Sequence, residues 1–188
     1  MAAAIADGRQ IYWVCPLIEE SEALDNQAAT DTAGQLSEAL PQARIGLVHG
    51  RLKDREKDAA MAQFAAGDTD LLVATTVIEV GVDVPRASLM VIENAERLGL
   101  SQLHQLRGRV GRGDELADCV LLYKGPLSDM ARERLQVMRD TTDGFKIADR
   151  DLELRGPGEL LGTRQAGVAQ FRIADLSRDA SLLRDVQA

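Results

Sequence analysis

The sequence predicts an α/β fold: a parallel sheet flanked by helices, followed by a smaller helical appendage. Three observations predict it. Short apolar runs alternate with longer amphipathic stretches over roughly the first two thirds of the chain, and strands that alternate with helices require crossovers and a parallel sheet. Hydrophobic residues make up 45% of the chain and aromatics only 3%, so the core is built from Leu, Val, Ile and Ala. The length, 188 residues, suffices for one full domain and an addition to it.

In order along the chain, residues 10–17 read as a strand. Residues 32–40 read as a helix, with Asp31 as its N-cap. Residues 45–49 form a short buried strand. Residues 52–66 form a helix whose stripe is Ala60, Met61 and Phe64, and Gly67 stops it. Residues 70–75 and 88–93 are strands, 100–107 a short helix and 119–123 a strand. The character changes after Lys124-Gly125-Pro126. Helical spacing over 128–141 puts Ala131, Leu135 and Met138 on one face, and 145–154 is a second, charge-rich helix. The run 155–167 is punctuated by glycine and proline and reads as a loop. These observations divide the chain into an α/β domain at 1–125 and a helical hairpin with its loop at 126–188.

The net charge of −8 and pI near 4.8 exclude nucleic-acid binding through a broad basic face, so any such contact is local or shared with another domain. No apolar run is long enough to span a membrane, and Met1-Ala2-Ala3-Ala4 lacks the basic and apolar regions of a secretion signal. Those alanines are a remnant of cloning or the frayed end of a helix. Cys15 and Cys119 lie in strand-like runs and read as small buried hydrophobes. No metal-ligand spacing occurs, and a reducing cytoplasm is the expected compartment.

Against that acidic background one segment stands out: Gln105-Leu106-Arg107-Gly108-Arg109-Val110-Gly111-Arg112. Its three arginines are spaced by glycines, and no acid interrupts them before Asp114. Glycines let a backbone approach a ligand closely, and a planar guanidinium matches a pair of phosphate oxygens. In an open α/β sheet, ligands sit at the carboxyl ends of the strands. Three segments follow strands and are expected there: 48–51, 74–85 and the arginine segment.

In this order and spacing the three resemble motifs IV, V and VI of the second, RecA-like motor lobe of superfamily 2 helicases. The stretch from Ala74 to Pro85, and then from Glu96 to Arg112, is similar to the RecG family of bacterial DNA helicases and to transcription-repair coupling factors. The wording of 8–21 and of 154–165 is closer to RecG, and 155–167 resembles the TRG motif that both families carry. The resemblance covers nearly the whole chain. It implies an ATP-dependent DNA helicase that remodels stalled forks and Holliday junctions. Arg112, with Arg109 beside it, would be the arginine finger reaching the nucleotide's γ-phosphate, and Gln105 would position them or the attacking water. Gly81 and Asp83 would lie near the nucleotide. His49, Gly50, Thr75 and Thr76 would approach the DNA backbone, and Arg155, Arg164 and Gln165 would couple cleft closure to DNA movement. The reading of Arg107 is structural.

No G-x-x-x-x-G-K-[S/T] and no D-E-x-H or D-E-x-D occurs. The phosphate cradle and the Mg²⁺-binding acid are therefore missing, and the family's wedge domain is missing too. ATP and Mg²⁺ would be held mainly by a first lobe elsewhere in a longer protein. The partners implied are that lobe, the wedge domain and branched duplex DNA. Two alternatives remain open here: the motor lobe of a coupling factor, and a non-catalytic α/β module that binds a phosphate or a protein.

Overall fold

A computed structural model describes residues 1–16, 22–75, 84–111 and 117–155. A five-stranded sheet with order β2-β3-β1-β4-β5 forms the centre, and every pairing in it is parallel. The strands are β1 (Gln10–Cys15), β2 (Ile45–Val48), β3 (Leu71–Thr75), β4 (Ala87–Ile92) and β5 (Asp118–Leu121). The helices are α1 (Ala2–Ala6), α2 (Glu22–Ala39), α3 (Asp54–Ala66), α4 (Leu100–Arg107), α5 (Asp129–Asp140) and α6 (Gly144–Arg155). A 3-10 turn at Ala95–Arg97 links β4 to α4.

Side chains that alternate along a strand serve opposite faces, and the two cores follow that rule. On one face Tyr12, Val14, Leu72, Ala74, Met90 and Ile92 meet Met61 and Phe64 of α3, and Leu100, Leu103 and Leu106 of α4. Met138 of α5 and Ile147 of α6 belong to the same cluster, so the hairpin packs back over α4. On the other face Ile11, Trp13, Cys15, Leu71 and Val73 meet Ala29 and Leu36 of α2 and Leu40 just beyond it. β1, β3 and β4 are buried along their whole length. Gln10 sits in this interior, where its amide donates to the carbonyls of Phe64 (2.6 Å) and Thr69 (2.8 Å). It thereby satisfies two carbonyls at the α3 terminus.

Most sequence expectations hold. Gly67 ends α3 in the left-handed conformation at φ 86°. The helical spacing expected over 128–141 is α5, and Ser128, the first residue of that span, is its cap, accepting the amide of Ala131. Two expectations are corrected. Asp31 is not an N-cap: α2 begins at Glu22, and Asp31 lies inside it, accepting from Gln27 at 2.8 Å. The alanine-rich run ahead of it packs on the sheet through Ala29, and this burial extends the helix upstream. β2 is only half-buried apart from Val48, because it is an outer strand.

Candidate functional site: two opposite edges of the sheet

The described residues expected to act at the sheet divide between its two edges. At the carboxyl edge β2 ends at Val48, with His49 and Gly50 next, and β3 ends at Thr75. Val48 pairs with Ala74, so His49 and Thr75 follow side by side. Both are turned inward. Thr75 is only 1% exposed, and its hydroxyl, like Nδ1 of His49, has no hydrogen-bond partner among the described residues. Cys15 pairs with Thr75 in the next strand. Burial pushes its thiol pKa up to about 12, helped by the nearby Glu93 carboxylate, which itself accepts the Trp13 indole N–H at 2.8 Å. The carboxyl edge thus carries buried polar groups on the α2 side of the sheet.

The described part of the arginine segment, up to Gly111, is not at that edge, and this corrects the sequence expectation. α4 starts after β4 and runs antiparallel to the strands. Its eight residues return the chain by roughly 12 Å at 1.5 Å per residue. The segment follows the fourth strand in sequence, but in space it precedes the fifth. The amide of Gly111 donates to the carbonyl of Ala87, the first residue of β4, at 3.3 Å. Gly111 has φ 76°, and a Cβ there would lie 2.7 Å from Cβ of Ala117. Only glycine makes this turn so close to the start of β5.

Val110 is buried and anchors the segment. Arg109 is half-exposed and Gln105 exposed. Among the described residues Arg109 has no ion-pair partner, whereas Arg9, also at this edge, is tied to the Ser88 hydroxyl (2.6 Å) and the Asp118 carboxylate (2.8 Å). Arg107 turns the other way. It donates to the carbonyls of Met138 and Thr141, both at 2.9 Å, and so satisfies the last carbonyls of α5. On the same side of α4 a Cβ on Gly144 would come 3.1 Å from His104. The sequence marked Arg107 as structural; this anchoring of the hairpin to the arginine helix is what it left unseen, because no local pattern announces a contact thirty residues away.

Thr76, Gly81, Asp83, Arg112, Arg164 and Gln165 lie outside the described residues, as does the side chain of Arg155. Thr75 and Val84, the described residues that bracket 76–83, stand at opposite edges, the latter just ahead of β4.

Sequence and structure comparisons place this geometry in a class. Residues 3–114 match the helicase conserved C-terminal domain family, and the chain belongs to that family. Within it the likeness is to RecG: residues 141–188 match the C-terminal part of domain 3 of the ATP-dependent DNA helicase RecG. The chain is 66% identical over 98% of its length to RecG of Escherichia coli strain K12 and 49% identical over 93% to that of Bacillus subtilis strain 168. It spans about a quarter of the length of these relatives, 27% and 26%. The structure of RecG bound to a three-way DNA junction superposes with a TM-score of 0.71 at 49% identity, over 97% of this chain and 23% of that one. The C-terminal domain of the DEAD-box protein Dbp5 shares the fold, with a TM-score of 0.51 at 19% identity over 78% of this chain and 82% of that one. These likenesses do not favour a coupling factor or an isolated binding module.

Proposed function

We propose that the chain is the second motor lobe and hairpin of an ATP-dependent DNA helicase that remodels branched DNA in recombination and repair in the bacterial cytoplasm. The observation that carries this reading is Arg109. It is half-exposed at the amino edge, on a glycine-hinged turn, with no acid partner among the described residues. A guanidinium with no acid beside it among the described residues can meet an incoming anion, and phosphoryl transfer needs such a charge beside the transferred group.

In this reading ATP and Mg²⁺ are held mainly by the first lobe, and bound ATP supplies the phosphoryl group that water attacks. Arg112 and Arg109 reach across the cleft to that group, Gln105 orients them, and Gly81 and Asp83 line the same side. The amino edge thus faces nucleotide and the carboxyl edge faces DNA. Gly50 and Thr76 approach the duplex backbone there, while the buried Thr75 and inward-turned His49 support the edge from beneath. Arg155, Arg164 and Gln165 couple closure to movement of the duplex, and Arg107 makes α4 and the hairpin move together. The junction named for the RecG structure supports branched duplex DNA as substrate, alongside the first lobe and a wedge domain as partners in the same protein.

The test uses the intact protein. Arg109→Ala and Arg112→Ala are expected to lower ATP turnover at least about 1000-fold, the range seen for arginine fingers, while nucleotide affinity changes little. Near-wild-type turnover in both variants would overturn the assignment.

A further inference from the structure

The chain is held firmly as it leaves β4. The amide of Glu93 donates to the carbonyl of Val14 at 2.9 Å, and its carboxylate accepts the Trp13 indole N–H at 2.8 Å. Two residues on, the fully buried Ala95 donates its amide to the carbonyl of Leu122 at 2.8 Å. Asn94 turns the chain between these fixed points, at φ 45° and ψ 41°. It is the one non-glycine residue with positive φ among those described. Glycine adopts this conformation freely, whereas a residue with a Cβ is strained there. Asparagine is tolerated in it when the side chain bonds to the neighbouring backbone. The Asn94 carboxamide makes no capping bond to the 3-10 turn that follows. It is half-exposed and has no hydrogen-bond partner among the described residues. The local reason for an asparagine here is therefore missing.

The turn lies at the carboxyl edge, because β4 is parallel to its neighbours. In the strand order β4 is three positions from β2, whose end is followed by His49 and Gly50. Three spacings of about 4.8 Å make roughly 14 Å, the axial rise of about four base pairs at roughly 3.4 Å each. One backbone of a duplex laid along this edge passes both Gly50 and Asn94.

We infer that Asn94 is a further DNA-contact residue, whose carboxamide donates from Nδ2 to a phosphate oxygen of the duplex. This rests on the motor function proposed above and carries its DNA-facing edge one strand beyond β1. The contact positions the duplex and reads no sequence. It is made by a neutral donor in a chain of net charge −8, so it adds a bond without releasing a counterion. A strained asparagine stands where glycine would turn freely because its side chain is used.

The test titrates a labelled forked duplex with the intact protein over a range of salt, followed by fluorescence anisotropy. Asn94→Gly keeps the backbone turn and removes only the carboxamide. It should weaken binding about tenfold, the scale of one hydrogen bond to a charged group, and by the same factor at every salt concentration. Asn94→Asp tolerates the same turn but sets a negative charge against the phosphate. It should bind more weakly than Asn94→Gly, and the gap should narrow as salt rises. Neither loss should depend on the sequence of the duplex, and thermal melts should show Asn94→Gly at least as stable as wild type. Wild-type affinity in Asn94→Gly, an altered salt slope in that variant, a loss confined to particular sequences, or a melt lowered in step with affinity would each overturn the assignment and leave the motor reading intact. Failure of the unaltered protein to bind forked DNA would instead overturn the motor reading, and this contact with it.

Discussion

Arg44 and Asp70 meet side chain to side chain through Nη2 (2.6 Å) and Nε (3.1 Å), and the Arg44 amide adds a third bond at 2.8 Å. Hydrogen bonding from Arg44 holds the Asp70 carboxyl below its ordinary value, and the same bond raises the guanidinium of Arg44. A depressed folded pKa stabilises the fold at pH above the ordinary carboxylate range. That contribution is lost as pH falls through the depressed value. Acid unfolding followed by circular dichroism should therefore begin at higher pH in Asp70→Asn, with the two proteins differing little in stability once both are far below that range. The thiols behave in the opposite sense. Burial raises Cys119 to about 11 and Cys15 to about 12, so their contribution is present at neutral pH and fades as pH rises past the ordinary thiol value. Thiolate is the reactive form. Native Cys119 at pH 8, with its thiol raised to about 11, should alkylate on the order of 100-fold more slowly than a free thiol; intact-mass measurement reads this directly, and rapid labelling of the folded chain would contradict the burial argument. The sequence already read both cysteines as small buried hydrophobes, because apolar neighbours in a strand-like run are a local signal; Cys15 is buried and Cys119 half-buried. It could not mark Gln10 or Arg9, nor name what Arg107 holds, because their partners lie far along the chain.

Elements were legible where a local rule governs them. The α3 stripe ending at Gly67, the helical spacing of α5 and the eight residues of α4 follow from periodicity and terminal chemistry. The α2 start and the exposure of β2 depend on what lies across the sheet, which no window of sequence contains. The direction of α4 matters most for function. Read as following β4, the arginine segment belonged with His49 and Thr75; as an antiparallel crossover α4 takes Arg109 to the other edge. Gly111 fixes the turn that ends this return. Its positive φ disfavours any side chain, and an added Cβ meets Ala117, which has no flexible end to yield. Gly111→Ala should therefore cost about 1–3 kcal/mol of stability and, in the intact protein, lower ATP turnover well beyond that loss. Gly67→Ala is the control: it shares the positive φ at 86°, but the nearby atom is the guanidinium of Arg86, a flexible end. It should cost comparable stability and leave turnover near wild type. Thermal melts paired with ATPase rates separate the two, and equal loss of turnover would detach Gly111 from the site.

At the scale of the whole molecule, the opposed edges explain what one lobe can do and what it cannot. The arginine side offers charge without a phosphate cradle, since the sequence contains no G-x-x-x-x-G-K-[S/T]. A guanidinium lowers the barrier for a phosphoryl group that something else orients; alone in water it meets a freely hydrated, mobile triphosphate and contributes almost none of the positioning on which such catalysis depends. The carboxyl edge is equally partial. Its polar residues are largely inward-facing, and the net charge of −8 opposes a polyanion at long range. The 188-residue chain by itself should therefore hydrolyse ATP at no more than background rate and bind a forked duplex weakly, with affinity falling steeply with salt. Supplying the remaining part of the protein on a separate chain should restore DNA-stimulated turnover to a measurable fraction of that of the intact protein, and Arg112→Ala in this chain should abolish the restored rate. The decisive measurement is phosphate release with and without forked DNA. Robust stimulated hydrolysis by the isolated chain would mean that a complete nucleotide site lies within it, and the division of labour between the two edges would have to be abandoned.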